Sequence, residues 1–186
     1  MSVTASDLTA PPKIFLTGDP GCGKTTLIRR IVERLDTSGV RGFVTEEVRE
    51  DGRRAGFRGV TLDGRSFVLA RLGGSGDYQV GPYGVVLEGL DTVGVEALTP
   101  APDTRLVVVD EVGKMEAFSA PFREAVERLL SGPVAILGTV ALHGVGFPKR
   151  VRQDPRVELI RVTRRSREAM AGEVVRRLAE HGLVKG

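Results

Sequence analysis

Gly18, Gly23, Lys24 and Thr25 stand at the spacing Gly-x-x-x-x-Gly-Lys-Thr, and those residue types suit one task, the gripping of a polyphosphate. A loop that wraps phosphate oxygens must turn tightly and present bare N–H groups, which glycines at Gly18, Gly21 and Gly23 permit. Lys24 can bring a point charge to the β- and γ-phosphates, and the Thr25 hydroxyl can ligate Mg²⁺. Asp19, Pro20, Cys22 and Thr26 complete the stretch that would line the phosphates. A second pair of candidates, Asp110 and Glu111, closes the apolar run Val107-Val108-Val109. Carboxylates are costly to place at the end of a buried strand without a cation, so this pair calls for a function. Asp110 is expected to hold Mg²⁺ with Thr25, and Glu111, one residue on, can polarise an attacking water. Val112, Gly113 and Lys114 follow, with Lys114 placed to add positive charge to the transferring group.

These side chains need a scaffold. Ile14-Phe15-Leu16 reads as a buried strand leading into the glycine loop, and Leu27, Ile28, Ile31, Val32 and Leu35 follow at helical spacing. Strand, loop and amphipathic helix thus come in the order that a phosphate-binding loop requires, with the helix N-terminus favouring an anion. A second strand is expected at Gly42–Thr45. Between Glu46 and Ala70 the turn dipeptides Asp51-Gly52 and Asp63-Gly64 predict antiparallel hairpins. One further strand is expected within Gln79–Leu87, then a short helix capped by Asp91. The second half returns to alternation. Arg105–Val109 and Val134–Val140 read as buried parallel strands around a helix that Ser119 caps and Pro121 opens. The segment 142–155, broken by glycines and prolines, reads as a long loop. Val157–Thr163 is the last expected strand, and Ser166 to about His181 the closing helix. The reading is a single α/β domain over residues 1–186, with a tail at 1–11 and a hairpin insert at about 46–88.

The composition fits such a domain. The chain has 186 residues, 41% hydrophobic and 27% charged, enough for a real core. No apolar run approaches the ~20 residues of a membrane span, and the first residues lack the basic and apolar regions of a signal peptide. One cysteine cannot form an internal disulfide, and a cytoplasmic protein is expected. The net charge of +3 is mild and the basic residues are dispersed, so nothing marks a nucleic-acid face. A monomer is expected. His143 and His181 lack metal-ligand spacing and read as surface residues, and Cys22 as an inert filler. Glu46 and Glu47 read first as hairpin salt-bridge partners. Arginine-finger candidates are Arg53, Arg54 and Arg58 in the hairpins and Arg150, Arg152, Arg164, Arg165 and Arg167 on late loops.

Four stretches carry a resemblance to the nucleoside-triphosphatase family known from thermophilic bacteria and from a human cancer-related homologue. They are Phe15–Ile28, Gly42–Arg49 continued by Gly52–Phe57, Val109–Glu116 and Leu137–Val140. The resemblance implies a three-layer P-loop NTPase fold of the additional-strand, catalytic-glutamate type, its central sheet mostly parallel, plus the antiparallel hairpin insert. Another strand would then lie between those bearing Gly18 and Asp110. It also implies Mg²⁺-dependent hydrolysis of nucleoside triphosphates such as ATP, GTP and CTP to diphosphate and phosphate, with loose base preference and Glu111 as base. Two stretches depart from the family pattern. Ala141–Pro148 replaces a proline and a lysine-glycine loop, and Arg165-Ser166-Arg167-Glu168 stands where asparagines often occur near the base. The same motifs also serve a nucleotide or polynucleotide kinase, or a slow nucleotide-dependent switch. A guanine switch that reads its base through Asn-Lys-x-Asp is excluded, because the chain contains no Asn.

Overall fold

The computed structural model describes residues 10–185, so most of the expected tail at 1–11 lies outside the described residues. Nine strands form one continuous sheet: β1 (Lys13–Thr17), β2 (Val40–Glu50), β3 (Arg53–Thr61), β4 (Ser66–Leu72), β5 (Gln79–Val80), β6 (Tyr83–Val85), β7 (Leu106–Val112), β8 (Ala135–Val140) and β9 (Glu158–Arg161). Their spatial order is β5-β6-β4-β3-β2-β7-β8-β1-β9. The half β2-β7-β8-β1-β9 is parallel, and the half beyond β2 is antiparallel. β8 separates β1 from β7, so the additional strand stands where the resemblance implies.

Why the sheet changes character at β2 is visible in its residues. The first part of β2 pairs with the buried β7 and carries Phe43 and Val44 into the core. Beyond it, Glu46, Glu47, Arg49 and Glu50 surround a single apolar residue, Val48, and the strand runs on to Asp51-Gly52, whose positive φ angles of 49° and 76° turn it back. The hairpins therefore extend the central sheet rather than forming a separate layer.

Helices cover both faces. α1 (Lys24–Val32) and α5 (Arg167–Glu180) pack together on one side, over Ile14, Leu16, Val108 and Leu137. On the other side lie α2 (Val95–Ala97), preceded by a π-turn at Leu90–Gly94, then α3 (Ala120–Ser131) and α4 (Phe147–Gln153). They pack over Phe15, Phe43, Val107, Val109 and Ile136. α3 forms as its sequence dictates. The Ser119 hydroxyl accepts from the Phe122 N–H at 3.0 Å, Pro121 occupies the first turn, and Phe122, Ala125, Val126, Leu129 and Leu130 are all buried. The other end of α3 is held by a residue outside any sequence pattern. Lys13 is buried in β1 and donates to the carbonyls of Leu129 and Gly132, each at 2.9 Å.

Three local expectations are corrected. The segment 142–155 is not one loop, because α4 occupies its second half. Its signal was short: Phe147 and Val151, one turn apart, are both buried, and Pro148 is tolerated in a first turn. Asp91 does not cap its helix. It lies inside the π-turn, and its carboxylate accepts from the Ser119 hydroxyl. The single strand expected within 79–87 is a hairpin of two short strands, turned at Gly81 with φ of 57°.

Candidate active site

The glycine loop between β1 and α1 has the conformation its composition demands: Gly21 and Gly23 take φ angles of 74° and 101°. Gly18 is fixed for a different reason, since a Cβ there would stand 2.3 Å from the carbonyl oxygen of Val162 at the exit of β9. The loop is thus wedged against the sheet end. Lys24 opens α1, and its ammonium donates to the carbonyl of Gly18 at 2.9 Å.

The acids arrive from β7. Val107, Val108 and Val109 are fully buried and bring Asp110 and Glu111 to the same end of the sheet. The Asp110–Glu111 peptide is cis. Asp110 is 1% exposed, and its Oδ1 accepts from the Thr139 hydroxyl at 2.5 Å. Its Oδ2 is buried with no hydrogen-bond partner among the described residues. Burial pushes the Asp110 carboxyl above its ordinary range, against the pull of the Thr139 and Thr25 hydroxyls and the Lys24 charge. A buried carboxylate oxygen left open beside Thr25 suits a hard cation, and Thr25 with Asp110 form an oxygen set that could hold Mg²⁺. The Asp110 backbone is fixed too, its carbonyl accepting from the Thr45 hydroxyl at 2.6 Å.

Glu111 faces differently. Its side chain is 34% exposed, and its Oε2 lies 3.9 Å from the Lys24 ammonium. Partial burial pushes this carboxyl up, Lys24 pulls it down, and the Asp110 charge pushes it up again. Together with Gly18, Pro20, Gly21, Gly23, Lys24, Thr25 and Thr26, Glu111 lines an open cavity of about 480 Å³, closed opposite by Ala141, Leu142 and His143.

The remaining candidates sort themselves around this cavity. Asp19 is exposed at its edge, and Cys22 is buried in the core under α1. Val112 and Gly113 are buried behind the acids, while Lys114 sits exposed on the turn after β7, outside the cavity lining. Glu46 and Glu47 are salt-bridge residues. Glu46 accepts from Arg29 at 2.5 Å and from Arg58 at 2.7 Å, and Glu47 from Arg54 at 2.6 Å. Hydrogen bonds from Arg29 and Arg58 hold the Glu46 carboxyl below its usual range. Arg54 and Arg58 are therefore engaged on β2. Arg150 pairs with Glu127 at 3.3 Å, and Arg152 donates to the carbonyls of Ala141 and Gly144. Arg53, Arg164 and Arg165 are exposed. Arg167, at the start of α5, lies against the glycine loop, its Nη1 3.2 Å from where a Cβ would stand on Gly23.

Two features in and beside the cavity escape sequence reasoning. His143 is one, because only the return of the 141–146 segment over the glycine loop brings it near, with Nε2 3.8 Å from Asp19 Oδ1. Glu116 is the other. It stands in the Asp-Glu-Val-Gly-Lys-Met-Glu run, yet nothing in that spacing shows that the chain folds back and buries it to 4% exposure. Its carboxylate accepts from the Gly113 N–H at 3.1 Å. A Cβ on Gly113 would meet Glu116 Oε2 and Glu111 Oε1 at 2.8 Å each, so glycine is what lets the two carboxyl groups share this niche.

Burial, then the charge of Glu111, pushes the Glu116 carboxyl from an ordinary 4.5 up to about 8. The sign of the consequence follows. Between those pH values the unfolded chain has lost this proton while the folded chain keeps it, so stability falls as pH rises, by up to ~1.4 kcal/mol per unit. In urea unfolding with divalent ions chelated, Glu116→Gln is expected to gain on the wild type between pH 5 and pH 8, by on the order of 2–4 kcal/mol. A gap that stays constant with pH would show that Glu116 ionises normally.

Comparison with known proteins identifies the family and the fold. The chain is 38% identical over 164 residues to "Nucleoside-triphosphatase THEP1" of Thermotoga sp. (strain RQ2), covering 88% of this chain and 93% of that one. It is 40% identical over 178 residues to the "Cancer-related nucleoside-triphosphatase" of Homo sapiens, covering 87% and 94%. These relatives are hydrolases by name. The crystal structure of THEP1 from the hyperthermophile Aquifex aeolicus superposes with a TM-score of 0.79 at 34% identity, over 87% of this chain and 96% of that one, which makes the architecture a P-loop NTPase fold. A family model described as NTPase matches residues 13–175, a span that includes the glycine loop, both acids and the whole of the sheet from β1 to β9, and the chain belongs to that NTPase family.

Proposed function

We propose that the protein hydrolyses magnesium nucleoside triphosphates to the diphosphate and phosphate, with Glu111 as the base that activates water. The observation that carries this reading is the division of labour between two adjacent acids. Asp110 is buried beside Thr25 with one oxygen open, and Glu111 faces the cavity 3.9 Å from Lys24.

Each residue then has one task. The N–H groups of the loop from Gly18 to Thr26 cradle the phosphates, and Lys24 exchanges its contact with Gly18 for the β- and γ-oxygens. Thr25 and Asp110 would hold the metal, which when bound neutralises charge on the phosphates. Glu111, its carboxyl raised by burial, accepts the proton of the attacking water. Arg167, packed on the outside of the glycine loop, adds positive potential there. Among the described residues the cavity lining includes no Phe, Tyr or Trp, so recognition concentrates on the phosphates, which supports a loose base preference.

The test is incubation of the protein with ATP, GTP or CTP and Mg²⁺, with all products identified. Phosphate release at comparable rates without an acceptor is expected. Label that moves only to an added nucleoside or RNA end would make the protein a kinase, and turnover that needs a protein partner would make it a switch.

A further inference from the structure

Ala141, Leu142 and His143 line the same cavity as Glu111, and His143 is the one ionisable side chain of the segment 141–146. The segment is braced rather than slack. The Ala141 N–H donates to the carbonyl of Val112 at 3.1 Å, and the Arg152 guanidinium of α4 reaches back to the carbonyls of Ala141 and Gly144. These three bonds hold His143 over the glycine loop. The imidazole is 79% exposed, and among the described residues its one charged contact is Asp19, at 3.8 Å. The charged groups of the packed elements around it are Asp19 on the glycine loop, Lys24 on α1 and Glu111 at the end of β7, the last two lining the same cavity, and Arg152 on α4, which binds the carbonyl of the next residue, Gly144. Among the described residues Lys24 is the only lysine or arginine that lines the cavity, and the Glu111 carboxylate beside it works against an entering anion.

We propose that His143 is a substrate-contact residue, whose imidazolium leaves Asp19 to donate Nε2–H to the terminal phosphate of the bound nucleotide. This rests on the nucleoside-triphosphatase reading of the site. A charged donor on a phosphate oxygen forms a strong hydrogen bond, whereas a neutral ring gives much less. The contribution is therefore made by the protonated ring and is weak for the neutral one.

The experiment measures kcat/KM for MgATP at pH 6.0 and pH 9.0 in the wild type, His143→Gln, His143→Lys and His181→Gln. The chain has two histidines, so His181→Gln, at the far end of α5, controls for the other imidazole. His143→Gln is expected to lose about tenfold at pH 6.0 and little at pH 9.0. His143→Lys, charged at both, should match the wild type at pH 6.0 and exceed it at pH 9.0. Equal loss in His143→Gln at both pH values, or no loss at either, overturns the assignment. Absence of hydrolysis in the wild type would instead remove the nucleoside-triphosphatase reading beneath it.

Discussion

Glu111→Gln is expected to bind MgATP about as tightly as the wild type and to lose 10²–10⁴-fold in kcat, the scale of a positioned general base. The substitution keeps the shape of the side chain and removes its basicity. It also leaves the neighbouring machinery in place, because the carbonyl of Asp110 stays bonded to Thr45 and the Asp110 carboxylate to Thr139. A fall in kcat with KM unchanged locates the loss in the transition state rather than in binding. Nucleotide affinity measured by calorimetry beside single-turnover rates separates the two. Full activity in this variant would take Glu111 out of the mechanism.

Lys24→Ala is expected to act on binding and chemistry together, lowering kcat/KM by about 10²–10³-fold, the usual loss when a donor aimed at developing charge is removed. Its geometry explains the double effect. The ammonium is 10% exposed and lies between the Gly18 carbonyl and Glu111, on the glycine loop proposed to cradle the phosphates. Lys24 also draws down the Asp110 and Glu111 carboxyl groups, so its loss leaves both acids more readily protonated. Lys24→Arg should rescue little, because a planar guanidinium does not fit where a compact ammonium sits in the loop. Rescue by Arg to near wild-type kcat/KM would mean that only net charge matters at this position.

The two halves of the site differ in how far the sequence reveals them. The glycine loop and the Asp110-Glu111 pair are local features: spacing alone states which side chains share a turn or a strand end, and β1, α1, β7 and β8 formed where apolar runs were expected. The hairpins were legible for the same reason, since Asp51-Gly52 and Asp63-Gly64 turn chemistry is written in adjacent residues. What stayed hidden depends on chain return. His143 meets Asp19 across 124 positions of sequence, the difference of the two residue numbers, and no periodicity links them. Glu116 is polar and near a turn, a pattern that elsewhere means exposure, yet it is buried by the fold-back onto Gly113. The helix α4 was masked by Gly144, Gly146 and Pro148, which punctuate loops far more often than they start helices. Lys13 likewise gives no hint in sequence that its ammonium closes α3 from a neighbouring strand.

The central claim is that water, activated beside the phosphate cradle, attacks the terminal phosphorus. Hydrolysis of MgATP in ¹⁸O-labelled water, followed by mass spectrometry of both products, tests it directly. One ¹⁸O in the released phosphate and none in the diphosphate are expected, at a rate that Glu111→Gln suppresses. Label in the nucleotide product, or labelled phosphate formed equally fast by Glu111→Gln, would contradict it.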